Sequence, residues 1–407
     1  MPPLQMLERA GGASHHRTPQ PIVSGMPYCR WFSAFSATGA SQRFDKPYGC
    51  ILICFVMDFQ KAFTNTQLGI LRALWNEPGM TRRALEHELG VSRPTLDKAI
   101  KGLLEGRLIV SDATTSEARG RPAALFRLRS RAWLTLGMDF ELPDVTTVLT
   151  DVRGAVLHER TFQLRENLDD PNAVLRRVVH EVRTWLDGLE DAGLEPGGMG
   201  IGLPGFFSDG GVSFVGRNLP AWEGVRVKEY LEAELSLPIL ILHDVHCMAQ
   251  AEVEHRSWTD RVVLFLSIRP GLEQDLRIGA SLCIDGKAYL GGRGNGGALY
   301  RAVVEGSSLA GLSDQQVIEI VARRLASSLL HIIPLTDPEW IVVHAECLGE
   351  MEPRLIEYCQ RELKRMFQGE YVGFTEIVPA ALRERTGAQQ AAQAAMQSLL
   401  QSPTGSG

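Results

Sequence analysis

The stretch that decides the fold of the first patterned region is Thr81-Arg82-Arg83-Ala84-Leu85-Glu86-His87-Glu88-Leu89-Gly90-Val91-Ser92-Arg93-Pro94-Thr95-Leu96. Its first half carries apolar residues at helical spacing: Ala84, Leu85 and Leu89. Gly90 can adopt the left-handed conformation that ends a helix sharply. The hydroxyl of Ser92 can cap a second helix, and Pro94 is tolerated in its first turn. Two helices joined by a short glycine turn are typical of a helix-turn-helix motif.

The flanking segments predict a winged helix around this motif. Residues 66–75 form a predicted first helix, Thr81 is a candidate cap of the second, and residues 92–105 form the third. The apolar residues of the third helix are predicted to point inward: Leu96, Ile100, Leu103 and Leu104. Residues 108–110 and 124–128 are the predicted strands of a wing, whose connector contains Arg119-Gly120-Arg121-Pro122.

The net charge of -6 is spread unevenly over the 407 residues. Residues 1–57 carry +3, residues 58–131 carry +5 and residues 132–407 carry -14. A small basic segment on an acidic body suits a nucleic-acid reader with a sensor attached. A merely solvated basic face is the alternative.

Basic residues near the start of the third helix are the candidates for DNA recognition. Arg93, Thr95 and Lys98 are expected to meet base edges in the major groove. Arg82 and Lys101 are better placed for phosphates. In the wing, Arg119 and Arg121 flank a glycine and are expected to enter a narrow minor groove. The alternative is a mobile basic loop that touches only phosphates.

Residues 1–57 lack periodicity and predict a disordered leader, with Met57 as an alternative start of translation. The seven cysteines form no close quartet with metal-ligand spacing. Reduced thiols and a cytoplasmic location are therefore expected. No apolar run is long enough to span a membrane.

From residue 133 onward, strand and helix patterns alternate as in an α/β fold with two lobes. The predicted strands are residues 134–139, 145–151, 156–164, 199–203, 238–242, 261–268, 278–284 and 340–344. Helices are predicted at 171–189 and 387–400, and most of the chain after residue 313 is expected to be helical.

Five motifs in this order resemble the ROK family of repressors, open reading frames and sugar kinases, specifically its regulators. They are Arg119-Gly120-Arg121-Pro122; Leu136-Gly137-Met138-Asp139 with Leu149-Thr150-Asp151-Val152-Arg153-Gly154; Gly200-Ile201-Gly202-Leu203-Pro204-Gly205; Asn218-Leu219-Pro220-Ala221-Trp222-Glu223-Gly224; and His243-Asp244 followed by Ala249-Gln250-Ala251-Glu252.

The resemblance implies a winged helix-turn-helix before a two-lobed actin/hexokinase-like (RNase H-like) ATPase fold. The leader would end at residue 57, the DNA-binding domain would span 58–131, and the kinase-like domain 132–407. Within the last, one lobe would comprise about 132–245 with the C-terminal helix, and the other 246–385. The resemblance further implies a double-stranded DNA operator, a homodimer or homotetramer, and a sugar or sugar derivative as effector.

The chain departs from the family's kinases where they hold nucleotide and zinc. Phe140-Glu141-Leu142-Pro143 stands in place of the first glycine-rich phosphate loop, and a carboxylate there would repel phosphate. Leu276-Arg277-Ile278-Gly279 replaces the second, and His344-Ala345-Glu346 replaces the adenosine-side glycines. Gly297-Ala298-Leu299-Tyr300-Arg301 lacks the sugar-binding Glu and the zinc-binding His of the family. We therefore expect a non-enzyme without cofactor or metal.

Three residues match sugar-side positions of the family. Asp244 matches the base that takes a proton from the sugar hydroxyl, and Asn218 matches a sugar-contacting Asn. His243 stands where the family has Asn. The alternatives are a strand-end Asp that caps the next helix, a turn residue and a structural His. Two functions besides a sugar-sensing repressor stay open: a sugar kinase with a DNA-binding head, and a ligand-independent DNA-binding scaffold.

Overall fold

The computed structural model describes residues 63–113, 124–189, 196–208, 211–213, 220–270, 275–297, 303–304, 309, 311–367, 375–382 and 386–400. Several predicted features lie outside these described residues: the leader, the wing arginines Arg119 and Arg121, the candidate ligand residue Asn218, and Ala298.

Three helices and a three-stranded antiparallel sheet form the head, which we define as residues 63–113 and 124–131. Its elements are α1 (Asn65–Asn76), β1 (Met80–Thr81), α2 (Arg82–Leu89), α3 (Arg93–Glu105), β2 (Ile109–Ala113) and β3 (Ala124–Leu128). The strand order is β1-β3-β2, with Met80 opposite Phe126 and Ile109 opposite Leu128. The sequence pattern does not predict β1, because two residues are too few to show alternation.

The turn between α2 and α3 has the predicted glycine geometry and two differences in detail. Gly90 follows α2 with a φ of 59°, and the Thr81 hydroxyl accepts the Ala84 N–H at 3.2 Å. Ser92 occupies the cap position of α3, but its hydroxyl lies 2.9 Å from that of Thr95 and bonds no backbone N–H. The inward position predicted for Leu104 is wrong: this side chain is 38% exposed, because its neighbour Leu103 occupies the core-facing position.

Two sheets with similar strand arrangements form the body. The first contains β4 (Leu134–Phe140), β5 (Asp144–Asp151), β6 (Val156–Gln163), β7 (Pro196–Leu203) and β10 (Ile239–His243) in the order β10-β7-β4-β5-β6. The second contains β11 (Val263–Pro270), β12 (Leu276–Ile284), β13 (Lys287–Ala288), β15 (Trp340–His344) and β16 (Glu376–Pro379) in the order β13-β12-β11-β15-β16, and β14 (Val303–Val304) pairs with β12. Each sheet has three parallel strands and an antiparallel extension.

Helices cover these sheets and fill the space between them. They are α4 (Pro171–Asp187), α5 (Val227–Leu235), α6 (Asp244–His255), α7 (Asp314–Thr336), α8 (Glu352–Met366) and α9 (Thr386–Leu400). A hairpin of β8 (Phe206–Ser208) with β9 (Gly211–Ser213) and 3-10 turns at Pro220–Trp222 and Glu346–Met351 complete the described elements. No helix in this part of the chain is long and apolar enough to cross a lipid bilayer.

The first sheet with α4 and α5 is called the first lobe here, and the second sheet with α7 and α8 the second lobe. Each lobe has its own apolar core. The sequence pattern predicts neither α5 nor β16, whereas the strand at Trp340–His344 and the last helix are found where it predicts them.

The head and the body share a single core. Val152, at the end of the β5 strand, and Met396, Leu399 and Leu400, at the end of α9, are buried among the apolar residues of α1, α2 and α3. The head is therefore built onto the body rather than tethered to it by a free linker.

Candidate functional site

The exposed face of α3 is the first candidate site. Leu96, Ala99 and Leu103 are buried in the head, so the opposite face is left to solvent. Arg93 and Lys98 are exposed on α3, and neither has an ion-pair partner among the described residues. Two unpaired basic side chains on the exposed face of α3 can reach the phosphates and base edges of a DNA major groove.

Three other predicted DNA-binding residues make local contacts in the head. Arg82 Nε lies 2.8 Å from Asp97 Oδ1, which links the start of α2 to α3. Lys101 Nζ lies 3.8 Å from Glu105 on the same helix. Thr95 is exposed, and its hydroxyl pairs with that of Ser92. An exposed ion pair contributes little to stability and can be exchanged for a phosphate contact.

The second candidate site is the cleft between the lobes. Parallel strands β4, β7 and β10 end on one side of it, with Asp139 opposite Gly202 and His243 opposite Leu203. Parallel strands β11 and β15 end on the other side. Ligands of open α/β sheets bind at the carboxyl ends of parallel strands, so the sequence places the polar residues of this cleft where a ligand site is expected.

Arg269, near the end of β11, is the central group of the cleft. Its guanidinium lies 3.3 Å from Asp139 Oδ2 and 3.3 Å from Asp244 Oδ2, and it contacts the Glu141 carboxylate directly. It also donates to Met248 Sδ at 2.6 Å. One cation therefore joins three carboxylates, which we call the Arg269 cluster: Arg269, Asp139, Glu141 and Asp244.

The charges of the Arg269 cluster do not balance, and this shifts its proton affinities. Burial, reinforced by Asp139 and Asp244 and opposed by Arg269, raises the pKa of Glu141 from 4.5 to about 8. Burial and the Asp244 charge also raise the pKa of Asp139, although Arg269 opposes the shift. Three carboxylates around one guanidinium carry more negative charge than the guanidinium offsets, and the raised pKa values of Glu141 and Asp139 both favour a proton held within the cluster.

Asp244 keeps its charge within this cluster. Burial would raise the pKa of its carboxyl, but the hydrogen bond from His243 and the nearby Arg269 outweigh burial and hold this pKa well below its usual range. His243 Nδ1 lies 2.9 Å from Asp244 Oδ1, and Asp244 is the first residue of α6. The two predicted ligand residues are thus in contact, while Asn218 lies outside the described residues.

Neutral polar groups surround the charged cluster. His246 Nδ1 lies 2.7 Å from the Ser281 hydroxyl, and burial lowers the pKa of His246 to about 4. Over the described ranges, no group of three His, Cys, Asp or Glu side chains is placed to hold a metal ion.

This arrangement favours neutral donors over anions. Carboxylates of Asp139 and Asp244 can accept hydrogen bonds from ligand hydroxyls, whereas a phosphate would meet the charged Asp244 carboxylate and a guanidinium already paired. Sequence reasoning missed Arg269 because the predicted strand ends at residue 268. A charged residue directly after the apolar run from Val263 was the available signal.

The comparisons with known proteins agree with this geometry. A family model described as ROK family matches residues 137–299. This stretch is similar to the ROK family. The match runs from within β4 to the loop after β13 and includes every member of the Arg269 cluster. The family resemblance indicated by the motifs is thereby confirmed.

Two protein relatives extend the similarity beyond the ROK domain. An uncharacterized protein from Sinorhizobium fredii is 22% identical over 320 residues, which cover 71% of this chain and 80% of that protein. The xylose repressor of Bacillus spizizenii is 19% identical over 242 residues, or 59% of this chain and 60% of its own length.

Solved structures confirm the predicted α/β fold class. A ROK family transcriptional regulator, described as a homolog of the E. coli MLC protein, superimposes with a TM-score of 0.58 at 19% identity and covers 86% of this chain and 98% of its own. A ROK family glucokinase from Streptomyces griseus, in complex with glucose and AMPPNP, has a TM-score of 0.50 at 16% identity over 65% of this chain and 99% of its own. The regulator match extends over more of this chain than the kinase match.

Proposed function

We propose that this protein is a DNA-binding transcriptional repressor whose ROK domain responds to a sugar or sugar derivative. The observation that carries the proposal is the exposed, unpaired basic face of α3 on a head that is built into a kinase-like body. Arg93, Thr95 and Lys98 would read base edges, and Arg82 and Lys101 would hold phosphates. Arg119 and Arg121 of the predicted wing, which lie outside the described residues, would add minor-groove contacts.

The cleft supports the response to a neutral ligand rather than catalysis. Asp244 and its partner His243 offer acceptors and a donor for ligand hydroxyls, and Asn218 would join them. The charged Asp244 carboxylate and the already paired Arg269 oppose a phosphate chain in the same cleft. The xylose repressor among the relatives points to a sugar as the first ligand to test. No cofactor or metal is part of this proposal.

The quaternary structure and location belong to the same proposal. A homodimer or homotetramer would space two heads for a two-fold operator, as symmetric DNA readers require. The protein would act in the cytoplasm, with a leader of residues 1–57, a DNA-binding domain of 58–131 and a kinase-like domain of 132–407. Ligand binding would change the affinity for DNA only to the extent that the ligand binds one of two conformations more tightly than the other.

The direct test is DNA selection followed by affinity measurements. The full chain is used to enrich fragments from a genomic library, and binding of an enriched fragment is measured by fluorescence anisotropy. Arg93→Ala and Lys98→Ala should each weaken specific binding by about 1–3 kcal/mol per lost bidentate contact. Arg176→Ala, on an exposed position of α4, is the matched control and should bind as wild type. Unchanged binding in both head variants would place the reading surface elsewhere.

The sugar response is tested on the same complex. D-xylose, other free monosaccharides and their phosphate esters are titrated against the bound fragment, and melting temperatures are recorded in parallel. A free sugar should lower the DNA affinity and raise the melting temperature. If none changes either quantity, the sensor half is wrong and the ligand-independent scaffold replaces it.

A sugar kinase is the second candidate, because Asp244 lies at the strand end expected of a base. A coupled ATPase assay at high protein concentration, with free hexoses and pentoses, distinguishes it. Sustained turnover that Asp244→Asn abolishes would establish the kinase and remove the case for a non-catalytic body.

A further inference from the structure

The Arg269 cluster crosses from one lobe to the other. Asp139 lies near the end of β4 in the first sheet and Glu141 directly follows that strand, whereas Arg269 belongs to β11 in the second. Asp244 begins α6, between the two sheets. A single guanidinium thus ties the ends of three elements across the cleft, and no described residue offers a second cation within ion-pair distance of Asp139 or Glu141.

These ion pairs are shielded from solvent. The exposed fractions of the side chains are 13% for Arg269, 17% for Asp139 and 6% for Asp244, and Glu141 is the most exposed member of the cluster at 32%. Water screens such pairs weakly, and removing one partner leaves the other charges buried without compensation. The cluster is therefore a strong constraint on the distance between the lobes, unlike the exposed Arg261–Glu339 pair near the other end of β11.

Asp139 also touches the start of α9. A Cβ placed on Gly387 would lie 2.8 Å from Asp139 Oδ2, so the helix begins directly against the carboxylate that Arg269 holds. The helix then crosses β4 and β7 at backbone contact. A Cβ on Gly137 would lie 1.9 Å from the Ala388 carbonyl oxygen. If the strand ends of the first lobe shift, α9 must shift as well, because the backbones of the helix and the strands are already in contact.

The far end of α9 belongs to the head. The helix has 15 residues and is roughly 22 Å long, at 1.5 Å per residue. Leu399 and Leu400 are buried in the head core, and the Arg72 guanidinium of α1 donates to the Leu400 carbonyl. One helix therefore connects the Arg269 cluster with α1 and with the head core on which α3 also packs.

We propose that Arg269 is a positioning residue: its ion pairs hold the two lobes together across the cleft and, through Asp139 and α9, fix the docking of the head on the body. The proposal goes beyond the DNA-binding function and does not depend on what the head binds. A ligand that competes for Asp139 or Asp244 would loosen this hold, which supplies the two conformations that a regulated head requires.

The test is hydrogen–deuterium exchange of the full chain without DNA or ligand. In Arg269→Gln, the amides of residues 386–400 and 65–76 should exchange at least tenfold faster than in wild type. The exchange rates in α7 of the second lobe should be unchanged. Arg269→Lys keeps the charge and should restore most of the protection, although a single ammonium cannot reproduce all three contacts. Arg261→Gln removes the exposed pair near the other end of the same strand and should match wild type.

Two results overturn the proposal. In the first, the amides of α1 and α9 in Arg269→Gln exchange at the wild-type rate. In the second, the exchange rate rises equally over the whole chain and Arg269→Lys fails to reverse the rise. Should Arg269→Gln not fold, Asp139→Asn keeps the side-chain shape and weakens the same contact. It should loosen the same two segments, and unaltered exchange there overturns the proposal. Because no DNA is present, failure here is distinct from failure of the DNA-binding function.

Discussion

Replacing Gly200 with alanine should break the docking of α9 on the first sheet. Gly200 lies in β7, between β4 and β10, and a Cβ there would lie 1.8 Å from the Ala391 carbonyl oxygen and 2.4 Å from its carbon. Ordinary carbon–oxygen contacts are about 3.3 Å, so α9 would have to retreat by roughly 1.5 Å. A central strand cannot move to relieve the clash, because hydrogen bonds hold it on both sides.

The expected loss is at the upper end of the range for an overpacked core. Such changes cost about 1–3 kcal/mol, and here the obstacle is backbone rather than a mobile side chain. Urea unfolding followed by tryptophan fluorescence should give a loss of about 3 kcal/mol for Gly200→Ala. The control is Gly197→Ala in the same strand, where the nearest atom is 3.8 Å away. Its stability should stay within about 0.5 kcal/mol of wild type.

Equal unfolding midpoints for the two alanine variants would refute the close contact between β7 and α9. Because the unfolding free energy is well defined only for a two-state transition, a second measurement is needed. Limited proteolysis should cleave residues 386–400 faster in Gly200→Ala than in Gly197→Ala.

Two further predictions concern the head and the cleft. Arg153 donates to the carbonyls of Leu74 and Trp75 at 2.6 and 2.7 Å, so Arg153→Gln should weaken head docking by about 1.5–3 kcal/mol, measured by hydrogen exchange in α1. The raised pKa of Glu141 means that its proton stabilises the folded state fully below pH 4.5 and that this contribution is lost as the pH rises through about 8. Glu141→Gln should flatten this decline in the free energy of unfolding. The effect should be about 2 kcal/mol, because the side chain is one-third exposed and water screens its charge. Unfolding curves recorded at several pH values measure it.

Each of these two predictions has a clear contrary outcome. Wild-type exchange in α1 of Arg153→Gln would mean that the apolar core alone docks the head. For the cleft, the charged groups that face Glu141 are Asp139, Asp244, Arg269 and Arg277. An unchanged pH dependence in Glu141→Gln would assign the retained proton to Asp139, and Asp139→Asn would then be the variant that flattens the curve.

The local pattern predicted the helices of the head but not every detail of it. Helical spacing, the left-handed Gly90 and the cap at Thr81 are local signals, and each is found where the sequence predicts it. Leu104 was misassigned because helical spacing alone does not say which of two adjacent leucines faces the core. A two-residue strand such as β1 exists only because β3 pairs with it, so no local signal could reveal it.

The cleft depended on long-range contacts that no local pattern records. Asp139 and Arg269 are 130 residues apart, and only the meeting of two sheets brings their side chains together. Glu141 was visible as a carboxylate in a phosphate-loop position, but its partner was not. The same holds for α9: its alanine-rich sequence predicts a helix, whereas its burial between Gly200 and the head core follows from the fold.

The central claim is that the head reads a specific DNA sequence. Its most direct test is the ratio of two dissociation constants for the full chain at one fixed salt concentration, measured on an enriched genomic fragment and on a scrambled fragment of the same length. A specific reader should bind the enriched fragment at least about 10³-fold more tightly. A ratio near one would contradict the claim, because a basic face that only neutralises phosphates binds every sequence alike.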